Sequence, residues 1–181
     1  MKLMIASDIH GSEKYCKMLV CRFKEENADR LLLLGDILYH GPRNDLPECY
    51  SPKDVIALLN ELSDKILCVR GNCDAEVDSM VLNFPLSADY AYVFVDGVSI
   101  FASHGHIFNE EKLPPLKNGD ILLNGHTHVP KCTKHNGYTY MNCGSVSIPK
   151  EDSPHSYMTL QDGVFVWKDL VSGEEYMNAE A

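Results

Sequence analysis

The sequence predicts an α/β fold in which two β-sheets pack as a sandwich with helices on the outside. In the first half, short apolar runs typical of buried strands alternate with helical patterns, which indicates parallel βαβ units. In the second half, strand patterns and turn signals follow one another with few helices, so this half is expected to supply a mostly β layer. With 181 residues, 45% of them hydrophobic, and no repeat or low-complexity segment, we expect one domain over residues 1–181.

The first half is predicted to contain three strands and two helices. The apolar runs are residues 3–6, 31–34 and 66–69. A helix over about residues 13–26 follows Ser12 as its N-cap, and a second helix follows Ser51 and Pro52, an N-cap and a proline at the first helical position. Residues 39–50 form a long loop before the second helix, and loops of this kind often line a site.

The second half is predicted to form a hairpin and three further strands. The hairpin joins residues 92–95 and 98–102 through Asp96-Gly97. Residues 138–141, 156–160 and 164–167 continue as strands, the last two around Asp162-Gly163. Residues 178–181 are expected to fray.

The composition limits the classes of function and the cellular compartment that we expect for this chain. A formal charge of −10 argues against a surface that binds long nucleic acid, because such binding depends on clustered Lys and Arg. The seven cysteines are an odd number without a C-x-x-C pair, so we expect reduced thiols in a cytoplasmic protein. No segment resembles a signal peptide or a membrane span, and no membrane partner is expected.

Five short polar motifs, each at the end of an apolar run, carry the functional prediction. They are Asp8-Ile9-His10, Gly35-Asp36, Gly71-Asn72, His104-Gly105-His106 and Gly125-His126-Thr127-His128. Each motif alone is more often turn or surface chemistry, but together they offer a sulfur-free set of oxygen and imidazole ligands. Phosphate-ester hydrolysis by two cations needs such a set, because the ions activate water and neutralise the phosphoryl oxygens.

Spacing suggests how the ligands would be shared. Asp8 and His10 are two residues apart, which turns both side chains to one face of an extended strand end, and His126 and His128 repeat this spacing. Asp36 is the natural bridging carboxylate. Asn72 adds a neutral amide oxygen that would not repel an anionic substrate.

The order of these motifs resembles the calcineurin-like metallophosphoesterases over nearly the whole chain, most of all the small bacterial YfcE-type phosphodiesterases. The segments that carry the likeness are residues 6–12, 34–36, 40–44, 69–74 and 142–150. The resemblance implies a four-layer-type β-sandwich and two divalent ions, with Mn²⁺ expected and Zn²⁺, Fe²⁺, Co²⁺ or Ni²⁺ as alternatives. It implies Asp8, His10, Asp36 and His128 around one metal, and Asp36, Asn72, His104 and His126 around the other.

The resemblance also implies catalytic roles for Asp36, Asn72 and His104, with a metal-bridging hydroxide as nucleophile. Many relatives carry His after the metal-binding Asn, whereas this chain has Cys73, a weak donor that is expected to protonate a leaving group poorly. Together with Arg43 and Asn44, Cys73 is a candidate substrate contact. Two further histidines of the motif segments, His40 and His106, are either second donors behind the ligands or ordinary loop residues.

The predicted function is therefore a metal-dependent phosphodiesterase that acts on small phosphodiesters. A phosphomonoesterase or protein phosphatase with the same site is one alternative. An interaction scaffold of the same fold, similar to the retromer subunit that resembles these enzymes, is another, although a scaffold need not retain all the ligands. A homo-oligomer is possible.

Overall fold

The computed structural model describes residues 1–181, which form two mixed β-sheets packed face to face. The strands are β1 (Leu3–Ala6), β2 (Arg30–Leu33), β3 (Ile66–Cys68), β4 (Tyr90–Val95), β5 (Val98–Ser103), β6 (Asp120–Asn124), β7 (Lys131–Lys134), β8 (Tyr138–Asn142), β9 (Ser156–Gln161), β10 (Val164–Asp169) and β11 (Glu175–Glu180). The six-stranded sheet has the order β11-β10-β9-β1-β2-β3, and the five-stranded sheet has the order β4-β5-β6-β8-β7. The predicted α/β class with two mixed sheets is confirmed.

Parallel pairing is concentrated in the strands that precede the polar motifs. In the six-stranded sheet β1 pairs with β2 and β2 with β3 in parallel, and in the five-stranded sheet β5, β6 and β8 pair in parallel. Because parallel strands end at the same edge of a sheet, the motifs that follow them are brought together. The edge strands β4, β7 and β11 pair antiparallel with their neighbours, and so does β10, which lies between β11 and β9.

Two cores explain why the first three runs are apolar at every position. Alternate residues of β1 point to opposite faces: Met4 and Ala6 pack under the helices, whereas Leu3 and Ile5 pack between the two sheets. Each of these four side chains is completely buried. The outer face of the five-stranded sheet carries a smaller cluster, and the helix-free segment after β5 packs Phe108 against it.

The two helices, α1 (Glu13–Glu25) and α2 (Pro52–Asn60), begin where the sequence predicts. Ser12 caps α1, since its side chain accepts a hydrogen bond from the main-chain N–H of Tyr15, and Asn27 with φ +49° ends the helical path. Ser51 precedes Pro52 as expected, but its hydroxyl contacts the Asp54 carboxylate and caps no main-chain N–H.

Three strands were missed, and one terminal prediction was wrong. The sequence prediction did not assign β6, β7 or β11. Residues 178–181 were expected to fray, yet residues 178–180 belong to β11, which pairs with β10 and packs Met177 and Ala179 against the core between the sheets. No helix in the structure is both long and apolar enough to cross a membrane.

Candidate metal centre

Seven predicted ligands meet at the edge where the parallel strands of both sheets end. Those that follow β1, β2 and β3 lie beside those that follow β5 and β6. Five of them, Asp8, His10, Asp36, His126 and His128, have φ between +48° and +66°, a region that side chains other than glycine enter at a cost. The turns therefore adopt an unfavourable backbone conformation at these five residues, and in this conformation the side chains point to the centre.

One group of ligand atoms surrounds the Asp8 carboxylate. Its Oδ1 lies 3.4 Å from Nε2 of His10 and 3.2 Å from Nε2 of His128. The two imidazole nitrogens are 3.4 Å apart, and Asp36 Oδ2 lies 3.7 Å from Nε2 of His10. These four residues are the set predicted for the first metal, and all are at most 3% exposed.

A second group surrounds the imidazole of His104. Its Nε2 lies 3.3 Å from Asp36 Oδ2, 3.0 Å from Asn72 Oδ1 and 3.2 Å from Nδ1 of His126. These residues are the set predicted for the second metal, and Asp36 belongs to both groups. Asn72 is exposed and His126 half-buried, so this group opens to solvent on one side.

Main-chain carbonyls fix the orientation of three rings. Nδ1 of His10 donates to Tyr39 O at 2.8 Å, and Nδ1 of His104 donates to Leu34 O at 2.8 Å. His128 does the same to Ile148 O at 2.6 Å. A carbonyl oxygen can only accept, so each Nδ1 must carry a proton, and Nε2 of each ring faces the centre, where it offers a lone pair whenever the ring is neutral.

These lone pairs fit a cation. Asp8 Oδ2 accepts from the main-chain N–H of His126 at 3.0 Å, whereas Asp8 Oδ1 is buried without a hydrogen-bond partner. Asp36 Oδ1 accepts from the Cys73 N–H at 2.8 Å, which leaves Oδ2 for the histidines. The centre thus combines an unsatisfied, buried carboxylate oxygen with nearby imidazole nitrogens. Divalent ions that prefer nitrogen and oxygen ligands bind to such a set of donors.

The electrostatics of the centre also favour positive charge. Burial raises the pKa of Asp8, but the charge of His104 and the close approach of the His10 and His128 rings outweigh it and hold the pKa well below its usual range. The pKa of Asp36 is lowered too, because His104 outweighs the burial. Burial alone would lower the pKa of His104, yet the two carboxylates raise it to about 9. Burial and the charge of His104 lower the pKa of His126 to about 4.

Asp74, to which the sequence prediction gave no role, holds two of the turns together. Its Oδ2 accepts from the main-chain N–H groups of Asp36 at 2.8 Å and Gly71 at 2.7 Å, and its Oδ1 accepts from Ile37 at 2.8 Å. The approach is so close that a Cβ on Gly71 would overlap Asp36 Oδ1. Asp74 thus sets the position of the carboxylate common to both groups.

A cleft of about 390 Å³ lies over the centre. We call the five most buried ligands, Asp8, His10, Asp36, His104 and His128, the floor. The side chains of Arg43, Asn44 and Lys150, which line the cleft around the floor, are called the rim. Cys73 also lines the cleft, beside the ligand Asn72, so the three predicted substrate contacts all lie at the cleft.

Sequence reasoning missed Lys150 and the carbonyls that orient the rings. Lys150 ends the segment 142–150 that carries the family likeness, but its role was not assigned, since it lies 22 positions after His128 and only the folded chain brings it to the cleft. The side chains of His40 and His106 make no hydrogen bond to a predicted ligand, and Nδ1 of each is buried without a partner. Asp74 stands two positions after Asn72, and a carboxylate in a tight glycine turn was the available signal.

A family model for the calcineurin-like phosphoesterase superfamily domain matches residues 1–162 of the chain. The chain belongs to this superfamily. Over 164 residues it is 47% identical to Phosphodiesterase YfcE from Escherichia coli strain K12, and the match covers 91% of this chain and 89% of that protein. The motifs that carry the resemblance in the sequence therefore lie in a chain that is related along most of its length.

Solved structures agree with this membership. The structure of Yfce, described as a phosphoesterase from E. coli, matches with a TM-score of 0.96 and 43% identity over 99% of both chains. Vps29 from Entamoeba histolytica, solved with Zn²⁺, matches with a TM-score of 0.67 and 19% identity over 99% of both chains. The latter likeness shows the shared superfamily fold alone.

Proposed function

We propose that this phosphoesterase is a metal-dependent phosphodiesterase that hydrolyses small phosphodiesters. The observation that carries the proposal is the convergence of seven ligand side chains in two groups that share Asp36. The identity of 47% to Phosphodiesterase YfcE supports a diester as substrate. The cleft above the centre gives a small substrate access to both groups.

Two divalent ions would be held by the two groups, and Mn²⁺ is our expectation for their identity. Asp8, His10, Asp36 and His128 would hold one ion, and Asp36, Asn72, His104 and His126 the other. When bound, the ions supply activation of a water molecule and positive charge for the phosphoryl oxygens. The close approach of imidazole nitrogens and side-chain oxygens in each group supports this assignment.

The residues of the chain provide orientation and charge balance. The Cys73 N–H fixes one oxygen of Asp36, so the other oxygen faces both groups. The carbonyl partners of three histidines hold their rings before substrate arrives, which reduces reorganisation during the reaction. Asn72, a neutral ligand beside the cleft, adds no charge that would repel the substrate phosphate.

Protonation of the leaving group is the weak point of the site. Burial and the nearby Asp36 carboxylate raise the pKa of the Cys73 thiol to about 12, so the thiol stays neutral, and a thiol donates only weakly. We therefore expect diesters with good leaving groups, such as aryl phosphodiesters, to react fastest. Supply of a proton by solvent through the open cleft is sufficient for such esters.

The remaining predictions concern the cellular compartment, the oligomeric state and the alternative role as a scaffold. All seven cysteines are unpaired, which fits the expected reducing cytoplasm. A homo-oligomer stays a prediction. A role as interaction scaffold alone is disfavoured, because the chain retains every ligand of both groups and a scaffold needs none of them.

The decisive assay is hydrolysis of bis(4-nitrophenyl) phosphate by the full chain with Mn²⁺. We expect turnover that a chelator abolishes, and a loss in Asp36→Ala and His126→Ala that exceeds the roughly 10- to 100-fold typical of removing an outer partner of a metal ligand. His135→Ala is the matched control, because His135 is exposed and binds Glu110 on the surface. Absence of metal-dependent turnover on any diester would refute the proposal.

The same leaving group separates the diesterase from the monoesterase alternative. Bis(4-nitrophenyl) phosphate and 4-nitrophenyl phosphate release the same leaving group, 4-nitrophenol. A difference in kcat/KM between them therefore reports whether the enzyme prefers a diester or a monoester. We expect the diester to be preferred. A large preference for the monoester would favour the phosphomonoesterase alternative.

A further inference from the structure

We propose that Arg43 and Lys150 form an anion subsite that recognises a second negatively charged group on the substrate, outside the phosphodiester that is cleaved. This inference rests on the proposed phosphodiesterase function and narrows its substrate class. The preferred substrate would be a small polar phosphodiester whose retained alcohol carries a carboxylate or a phosphate. Such a group is absent from the simple aryl diesters used as model substrates.

The charge of the cleft is opposite to that of the chain. The protein carries a formal charge of −10, yet the only acidic residue that lines the cleft is Asp36, which belongs to the floor. Both charged residues of the rim are cations. Neither Arg43 nor Lys150 takes part in any ion pair of the chain, so both charges are available to a ligand.

Lys150 is tied by its main chain to a floor ligand. Its N–H donates to His128 O at 3.2 Å, and its own carbonyl accepts from the Ser153 hydroxyl at 2.6 Å and the Ser153 N–H at 3.1 Å. The carbonyl of Ile148, two residues earlier, accepts from His128 Nδ1. The backbone that carries the ammonium group is thus fixed beside the first group of ligands.

Arg43 lies in a different loop that lines the same cleft and is anchored separately. The Tyr39 carbonyl accepts from Nδ1 of His10, and the Asn44 amide donates to His40 O at 2.8 Å, which closes the turn around Arg43. Gly41 packs against Cys73, since a Cβ on Gly41 would lie 3.0 Å from the thiol sulfur. Two independently anchored segments therefore bring their cations to the same cleft.

The rest of the lining favours a polar ligand over an aromatic one. Only one of the eleven lining residues is hydrophobic, and no Phe, Tyr or Trp lines the cleft, so a nucleobase or aryl group finds none of these rings to stack on. A volume of about 390 Å³ lies within the range of pockets that enclose a small molecule, which leaves room beyond one phosphate group. Charge and hydrogen bonding are the remaining means of recognition.

The test uses three phosphodiesters that release the same 4-nitrophenol and differ in the retained alcohol. The alcohols are 2-carboxyethyl (anionic), propyl (neutral) and 2-(trimethylammonio)ethyl (cationic). With the Mn²⁺-loaded full chain we expect kcat/KM to fall in that order. The anionic ester should exceed the neutral one by roughly tenfold, as a pair of charge-assisted contacts in a half-open cleft would give.

Substitution of Arg43 and Lys150 tests whether these two cations cause the preference for the anionic ester. In Arg43→Ala and Lys150→Ala the anionic-to-neutral ratio should fall, and in the double variant it should approach 1, with Lys150→Arg restoring the Lys150 contribution. Because both cations also raise the potential at the scissile phosphate, the ratio and not the absolute rate is the readout. Lys134→Ala is the matched control, since Lys134 is exposed, unpaired and outside the cleft, and it should leave the ratio unchanged.

A binding measurement makes the test independent of turnover. By calorimetry, 3-phosphonopropionate should bind the Mn²⁺-loaded chain about tenfold more tightly than propylphosphonate, and the double variant should bind the two equally. Equal affinities in the wild type would overturn the inference. A double variant that loses equally on all three esters would also overturn it, by placing both cations on the scissile phosphate.

Failure of the inference and failure of the proposed function give different results. If the propyl ester is hydrolysed with Mn²⁺ but the three esters are equivalent, the subsite is refuted while the phosphodiesterase function stands. If none of the esters is hydrolysed, the phosphodiesterase function is refuted, and the inference with it.

Discussion

The floor and the rim of the cleft are built in different ways. Each floor residue is buried, and its orientation is set by hydrogen bonds to main-chain or side-chain groups of other segments, as with His10 and Tyr39 O or His104 and Leu34 O. The charged rim side chains, Arg43 and Lys150, are exposed and donate no side-chain hydrogen bond within the chain. Only the backbone that carries them is fixed.

This difference indicates that the floor serves the reaction itself and that the rim serves substrate selectivity. A floor that is rigid before substrate arrives suits ligands whose lone pairs must converge on ions, and small displacements there are costly. Long cationic side chains that are free to adjust suit a part of the site that contacts a variable group of the substrate. Changes in the floor should therefore affect every substrate equally, whereas changes in the rim should act on selectivity.

The largest effect that tests this division is expected from Asp74→Asn, just outside the floor. The amide cannot accept all three main-chain hydrogen bonds, so the turn that carries Asp36 should shift. We expect kcat/KM to fall about 10- to 100-fold on all diesters alike. Thermal or urea unfolding should show a loss of about 1–3 kcal/mol in the free energy of unfolding.

Asp78→Asn is the control for that substitution. The Asp78 carboxylate also accepts a main-chain N–H, from Ala75 at 2.9 Å, but in an exposed turn away from the centre. It should retain activity. If Asp74→Asn loses stability while its Mn²⁺ affinity and its kcat/KM stay at wild-type levels, Asp74 is a structural residue without a positioning role.

A smaller effect is expected at Cys73, between floor and rim. Cys73→His places a group that can donate a proton beside Asn72 and should speed diesters with poor leaving groups. The gain should be roughly tenfold, below the 100-fold of a well-placed general acid, because the ring must displace Gly41. Rates on a series of aryl and alkyl phosphodiesters give the dependence of kcat on leaving-group pKa.

That dependence should become shallower in Cys73→His and stay steep in Cys73→Ser, which keeps a small side chain. An unchanged slope in Cys73→His would show that the thiol position takes no part in departure of the leaving group. Such a result would show that Cys73 contributes to the packing of the site and not to the reaction.

Most of the strands that were predicted correctly have a simple burial pattern, although the fully buried strand β6 was not assigned. The runs that became β1 and β2 are mostly buried on both faces and read as continuous apolar segments, whereas the edge strand β3 exposes Leu67. The predicted run 31–34 was placed one residue too far along, and the run 66–69 begins with β3 but extends one residue beyond its end. Strands β7 and β11 are half exposed and carry polar residues, such as Lys131 and Glu175, so neither has the apolar pattern of a core strand. Their strand conformation comes from pairing with β8 and β10.

The site was predictable to the extent that its residues are local to strand ends. Each predicted ligand lies in the turn that follows a strand, and the folded chain brings all seven together. Lys150 could not be predicted, because its place depends on how residues 148–153 fold back onto His128. The backbone conformation of Asp8, with φ +60°, was equally invisible in the sequence, since aspartate gives no sign of strain.

The central claim, that two groups of ligands share Asp36, is tested most directly by counting bound ions. Titration of the metal-free full chain with Mn²⁺ by calorimetry, with elemental analysis of the loaded protein, should give two ions per chain in the wild type. Lys150→Ala, a rim change, should retain two, whereas Asp36→Ala should retain at most one, with weakened affinity. Wild-type protein that binds a single ion, or Asp36→Ala protein that still binds two, would contradict the account.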